Sequence, residues 1–300
     1  MGLTPAELKS CLRGLIGFGV TPFHDDFSVN FDALRQNASS LATSCEVVVP
    51  LAGNGEIYSL SPEEHRAVGR AVVEEIRGRK PLIVGVGLTA PLASQLAQAA
   101  EAYGADGLLI LPPYFVHANE DGLLAYYRSI ASATRLGVIL FQTPSVQFSP
   151  CLLRRLAEIP NLIGLKDENG DLDLFVRQWA AVGERLELLC GVGEILAPSY
   201  FALGVKAFTS GLVNFMPASC RRMLELLERR EFESAARLVE REMLEIYDLR
   251  VKRAGYRTLV IKEAMNLCGL NAGPVRPPLA PLPESDREQL RRILTRLGLV

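Results

Sequence analysis

Along the first 210 residues, apolar positions gather into short, almost unbroken runs. Between these runs lie longer stretches in which apolar side chains recur three and four apart. The runs are Leu15–Val20, Glu46–Leu51, Pro81–Val86, Asp106–Leu111, Gly137–Gln142, Leu162–Asp167, Leu186–Gly191 and Val205–Ser210. A strand of a parallel sheet, covered on both faces, reads as such a run, so the pattern predicts parallel strands with helices between them. Helix boundaries agree. Ser61-Pro62-Glu63-Glu64 supplies a cap, a first-turn proline and acids that suit the helix dipole, and Ala93–Tyr103 stops at Gly104. Eight strands alternating with eight helices, at spacings of about 20–35 residues, predict the α/β class and a (β/α)8 TIM barrel.

Past Pro217 the strand pattern ends, and residues 217–229, 231–253, 255–269 and 284–298 read as amphipathic helices. The first completes the barrel's helix ring. The rest predict a C-terminal helical extension packed on the barrel, because the connections are short and no low-complexity linker intervenes. The expected division is 1–230 for the barrel and 231–300 for the extension. A doubly wound open sheet would want a glycine-rich phosphate loop after the first strand. Gly17-Phe18-Gly19-Val20-Thr21-Pro22 lacks the third glycine and the following helix, and Gly85-Val86-Gly87 and Gly191-Val192-Gly193 are equally incomplete. These glycines are expected where the chain turns sharply at strand ends.

Composition narrows the function classes. Apolar residues make up 49% and charged ones 22%, enough for a large core. Lys+Arg 32 against Asp+Glu 34 leaves a net charge of −2, which offers nothing to nucleic acid or to an anionic membrane. No apolar run reaches the roughly 18 residues of a membrane span, and the first residues carry neither a secretory h-region nor a myristoylation site, so a cytoplasmic protein is expected. The six cysteines are scattered and His24, His65 and His117 show no ligand spacing, which favours chemistry without a metal.

In a barrel of this kind the chemistry gathers at the C-terminal ends of the strands. Of six lysines, only Lys166, in Ile163-Gly164-Leu165-Lys166, ends an apolar strand. Facing the interior, it would lose hydration and its pKa would fall, freeing the amine to attack a ketone; the plainer alternative is a lysine reaching solvent or paired with Asp167 or Glu168. Gly53-Asn54-Gly55-Glu56 opens a loop whose successive N–H groups suit a carboxylate, though an ordinary strand-exit turn would look the same. Ser210-Gly211 could add a hydroxyl to the same ligand.

Val20-Thr21-Pro22-Phe23, Gly53–Glu56, Pro112-Pro113-Tyr114, Gly164-Leu165-Lys166-Asp167 and Val275-Arg276-Pro277-Pro278-Leu279 stand in the order and spacing of one family. The chain resembles, over essentially its whole length, the dihydrodipicolinate synthase / N-acetylneuraminate lyase family of Schiff-base barrel enzymes. Within it, Ala52-Gly53-Asn54-Gly55-Glu56 with Tyr58-Ser59-Leu60, and Ser210–Pro217, are most similar to the 5-dehydro-4-deoxyglucarate dehydratase branch. The resemblance implies that Lys166 forms the imine and that Gly53, Asn54, Gly55, Thr143, Ser210 and Gly211 surround a small 2-oxo acid. It further implies dehydration with decarboxylation to 2,5-dioxopentanoate, no cofactor and no metal, and a homo-oligomer, dimer or tetramer.

The family pattern is broken at one place. Its tyrosine at the end of the fifth strand is replaced by Phe141, followed by Gln142, and a phenyl ring cannot carry a proton. Phe115, Gly53 and Asn54 stand where the synthases have hydroxyl groups, which argues against dihydrodipicolinate synthesis. A water, a substrate carboxylate, Tyr114, Thr143 or Ser210 are the candidate replacements, with Tyr58 and Gln142 further ones. Two other readings remain: retro-aldol cleavage of a related 2-oxo acid, and a barrel that binds a keto acid without turnover.

Overall fold

The computed structural model describes residues 2–300. Its strands are β1 (Gly14–Phe18), β2 (Val47–Val49), β3 (Ile83–Val86), β4 (Gly107–Ile110), β5 (Gly137–Gln142), β6 (Leu162–Asp167), β7 (Glu187–Cys190) and β8 (Ala207–Ser210). All are parallel in the order β2-β1-β8-β7-β6-β5-β4-β3, and a Val48–Leu82 bridge brings β2 against β3 to close the ring. Each falls inside its predicted run, except that β1 starts one residue earlier, and several are up to three residues shorter; a strand buried on both faces leaves little room for polar side chains.

The helices are α1 (Pro5–Cys11), α2 (Phe31–Ser44), α3 (Pro62–Ile76), α4 (Ala90–Tyr103), α5 (Glu120–Ala131), α6 (Pro150–Ala157), α7 (Leu172–Val182), α8 (Ala197–Leu203), α9 (Pro217–Glu228), α10 (Phe232–Glu242), α11 (Leu244–Val251), α12 (Tyr256–Leu267) and α13 (Glu284–Arg296). Helices α2 to α9 form the outer ring. Buried residues of α10 to α13, among them Leu238, Ile246, Ile261 and Leu290, join the apolar layer that the ring shares with the barrel. None of these helices is long and apolar enough to cross a membrane.

Three expectations are corrected. Residues 231–253 form two helices: Met243, at φ −122°, ends α10 and starts α11, while apolar spacing runs unbroken through Leu238, Val239, Met243, Ile246 and Tyr247. Periodicity alone therefore hides the bend. Helix α1 was not foreseen. It is closed by a Thr4–Glu7 capping box and inserts Leu8 and Leu12, both buried, into the barrel's lower end. Burying two leucines contributes on the order of 1.5–3 kcal/mol each. Lastly, the glycines read as strand-end turns serve close packing, with only Gly193 at positive φ among them. A Cβ on Gly85 would lie 2.0 Å from the Leu51 carbonyl oxygen, and one on Gly17 2.5 Å from Cys45 Sγ.

Candidate active site

Alternation along β5 and β6 decides which side chains face the barrel axis. In register, Phe141 pairs with Lys166 and Gln142 with Asp167. The first pair points inward. The second points into the helix layer, where the Gln142 amide and the Tyr200 hydroxyl donate to Asp167 at 2.9 and 2.5 Å and Gln178 completes a buried network. Gln142 is thereby spent on structure and removed from the list of proton carriers.

Lys166 is only 3% exposed and stands above an apolar floor that includes Phe18, Ile139 and Leu189. Its Nζ lies 3.7 Å from the centroid of Phe141 and 5.2 Å from that of Phe18. Nζ donates to Glu168 Oε2 at 2.6 Å. Burial pulls the lysine below its ordinary pKa, and the Glu168 carboxylate partly opposes that shift. Both features weighed from the sequence are present: a desolvated amine and an acidic partner. A cavity of about 480 Å³ opens directly on the amine. Gly191 makes room for this lysine, since a Cβ there would lie 2.8 Å from Lys166 Cγ.

The cavity is walled on one side by Gly53, Asn54, Thr143, Ser210 and Gly211, and on another by Tyr247, Asp248, Arg250, Arg257 and Thr258 from the C-terminal helices. Gly55 stays behind the wall, because its Cα packs on the backbone of Leu51. Among the described residues the N–H groups of Asn54 and Gly55 have no acceptor, while Gly53 and Gly55 use their carbonyls on Thr258 and Thr21. Thr143 shares its hydroxyl with Ser145 at 2.9 Å. The Ser210 hydroxyl, expected to hold a ligand, is committed to the fully buried Glu194, which also accepts from the Tyr247 hydroxyl. Ser210 therefore shapes the wall while its hydroxyl braces the end of β8.

The Gly53–Glu56 loop is held from a distance. Glu56 adopts the left-handed region at φ 51° with its side chain fully buried, a conformation a non-glycine residue keeps only when its surroundings enforce it. Lys262 of α12 donates to Glu56 Oε1 at 2.8 Å, and the Arg276 N–H donates to Oε2 at 3.1 Å. Burial pulls Lys262 down, and Glu56 opposes. Arg276 spans onward to Glu64 at 2.6 Å. These partners were not singled out from the sequence. One signal was available for Lys262: a lysine inside the run Leu259-Val260-Ile261-Lys262, the same oddity that marks Lys166.

Arg257 was also missed. It donates to Glu168 Oε1 at 2.7 Å, so the carboxylate bridges Lys166 and a helix 89 residues further along. Among the described residues, no three of His, Cys, Asp and Glu converge in a metal-binding cluster.

A desolvated lysine at the C-terminal mouth of a parallel barrel, open to a cavity that carries glycines, hydroxyls and arginines, marks the class of carbonyl-condensing barrel enzymes. The chain belongs to the dihydrodipicolinate synthetase family, which it matches over residues 11–297. Among curated relatives, a probable 5-dehydro-4-deoxyglucarate dehydratase of Methylobacterium radiotolerans is 38% identical, covering 97% of this chain and 98% of that protein. One of Bradyrhizobium diazoefficiens is 34% identical, covering 99% and 96%. Among solved structures, dihydrodipicolinate synthase from Oceanobacillus iheyensis superposes with a TM-score of 0.93 at 30% identity, covering 99% of this chain and all of that one.

Proposed function

We propose that the protein is a 5-dehydro-4-deoxyglucarate dehydratase that decarboxylates its substrate through a Schiff base on Lys166. The carrying observation is Lys166 itself, buried, 2.6 Å from a carboxylate and open to the cavity. Two further features support a sugar diacid. The Asn54 amide suits the carboxylate next to the ketone, and Arg250, which lines the same cavity, offers positive charge to the second carboxylate. The relatives named as dehydratases support the same reading.

In this reaction the neutral amine adds to the 2-oxo carbon and water leaves, giving an iminium. The iminium acidifies the neighbouring C–H; loss of that proton and of the β-hydroxyl, as water, extends the conjugation. The far carboxylate then departs as carbon dioxide, its bonding electrons flowing toward the iminium nitrogen. Two carbon protonations then follow, one restoring the iminium and one as the enol becomes the aldehyde; hydrolysis of the iminium returns Lys166 and releases 2,5-dioxopentanoate. Each proton movement needs a positioned acid or base. The apolar floor beneath Nζ keeps the amine poorly hydrated, which lowers its pKa and favours the free amine that attacks the ketone.

We infer that the enzyme works in the cytoplasm as a homo-oligomer. Phe115, 98% exposed next to Tyr114 and Val116 after β4, supports a contact between subunits. Incubation with 5-dehydro-4-deoxyglucarate tests the main reading: equal release of carbon dioxide and 2,5-dioxopentanoate is expected, whereas pyruvate release would mark a retro-aldolase. Borohydride with a 2-oxo acid should label Lys166.

A further inference from the structure

The family's strand-five tyrosine is absent, yet the proposed chemistry moves a proton at every step. We propose that Glu168 is the acid–base group of this site, carrying protons between Lys166, the carbon next to the imine and the departing hydroxyl. The inference rests on the Schiff-base reading of Lys166.

The geometry singles out Glu168. Its Oε2 already holds a proton of Nζ at 2.6 Å, within the reach that proton transfer requires. The other candidates are placed less well. Phe141 has no exchangeable proton, the Ser210 hydroxyl is tied to Glu194, Gln142 faces the helix layer, and Thr143 is turned to Ser145. Tyr58 and Tyr114 line the cavity, but neither hydrogen-bonds Lys166 and burial pushes both phenols up, whereas Glu168 already shares a proton with the amine. Glu168 is also held in place. Its N–H donates to the Gln142 carbonyl at 3.0 Å, and Arg257 grips Oε1 at 2.7 Å, which aims Oε2 at the lysine. Arg257 is thus a positioning residue. Glu168 is part-exposed at the cavity wall, so an incoming substrate meets it directly.

The proton balance closes on this one carboxylate. Glu168 takes a proton from the ammonium, and the free amine forms the C–N bond as the carbonyl electron pair moves to oxygen. Glu168 returns the proton to that alkoxide, takes one from the nitrogen, and gives it to the hydroxyl as the C–O bond breaks. Water leaves, the iminium remains and the carboxylate is restored. It next removes a proton from the neighbouring carbon, the C–H pair forming the enamine, and delivers that proton to the β-hydroxyl. A second water leaves and the carboxylate is restored again.

Pyruvate is the probe, because its methyl protons exchange with solvent through the same enamine whether or not a sugar acid is the natural substrate. Wild-type protein in D2O with pyruvate should label Lys166 on borohydride addition and exchange the methyl protons, followed by NMR. Glu168→Gln should form the imine more slowly but still label on long incubation, since removing the neighbouring negative charge frees more of the amine, while exchange falls about 100-fold or more. Glu168→Asp should restore part of the exchange. Labelling by Glu168→Gln also reports an intact site. Unchanged exchange in Glu168→Gln would overturn the assignment to Glu168 and leave the imine standing. No label in the wild-type protein would overturn the imine, and the role of Glu168 with it.

Discussion

Lys166 and Phe141 are register partners on neighbouring strands, and the amine sits 3.7 Å from the phenyl centroid where a family tyrosine would carry protons. The ring desolvates the amine and attracts its charged form, but it transfers nothing. Phe141→Tyr is therefore expected to leave borohydride labelling of Lys166 unchanged while altering the rates of the steps after imine formation. Loss of labelling in this variant would contradict the placement of residue 141.

Lys166→Met removes the nucleophile while keeping most of the side-chain volume. Turnover should fall by at least about 10³-fold and labelling should vanish. Stability should not drop, because the variant removes a desolvated cation and Glu168 keeps Arg257 as partner. Urea unfolding midpoints check this point, and a large decrease would mean that Lys166 has a structural role.

Arg250 lies on the cavity wall without a carboxylate partner among the described residues; its Nε donates to the Arg257 carbonyl. Arg250→Gln is expected to raise the KM for a 2-oxo diacid about tenfold, the equivalent of about 1.4 kcal/mol. Trapping of pyruvate, which lacks the second carboxylate, should change far less. Equal effects on both ligands would remove Arg250 from diacid recognition.

Lys262 and Glu56 form an ion pair in which both side chains are buried. Lys262→Met strands the carboxylate of Glu56 and should cost about 3–5 kcal/mol of stability in urea unfolding. Glu56→Gln together with Lys262→Met should recover much of that loss. Because Glu56 holds the loop that begins at Gly53, the single variant should also bind 2-oxo acids more weakly.

His65 is buried and its Nε2 lies 2.8 Å from the Gly85 carbonyl oxygen, while burial pulls its pKa to about 4. Below an unfolded value of about 6.5 the unfolded chain binds the proton and the folded one does not, so stability falls as pH drops from about 6.5 toward 4. By pH 5 the loss from this one residue should be about 2 kcal/mol. His65→Gln should show a correspondingly smaller loss of urea midpoint between pH 7 and pH 5. The same loss in both proteins would place the acid sensitivity elsewhere.

The strands and the exceptional position of Lys166 were legible along the chain for one reason. A parallel strand buried on both faces needs a continuous apolar run, and an ammonium at the end of such a run stands out against it. Local pattern also placed the Gly53–Glu56 loop, and the family resemblance marked the substitution at Phe141. It did not reveal that Glu168 bridges Lys166 and Arg257, that Ser210 spends its hydroxyl on Glu194, or that Lys262 holds Glu56 from 206 residues away. Periodicity records which face of an element is buried, and nothing of which distant element covers it. The bend at Met243 and the packing of α11 and α12 over the barrel mouth arise only when the whole chain closes its core, and those helices bring Tyr247, Arg250 and Arg257 to the cavity. The sequence by itself determined the barrel and the lysine at the end of its sixth strand; tertiary packing decided which charges surround that amine.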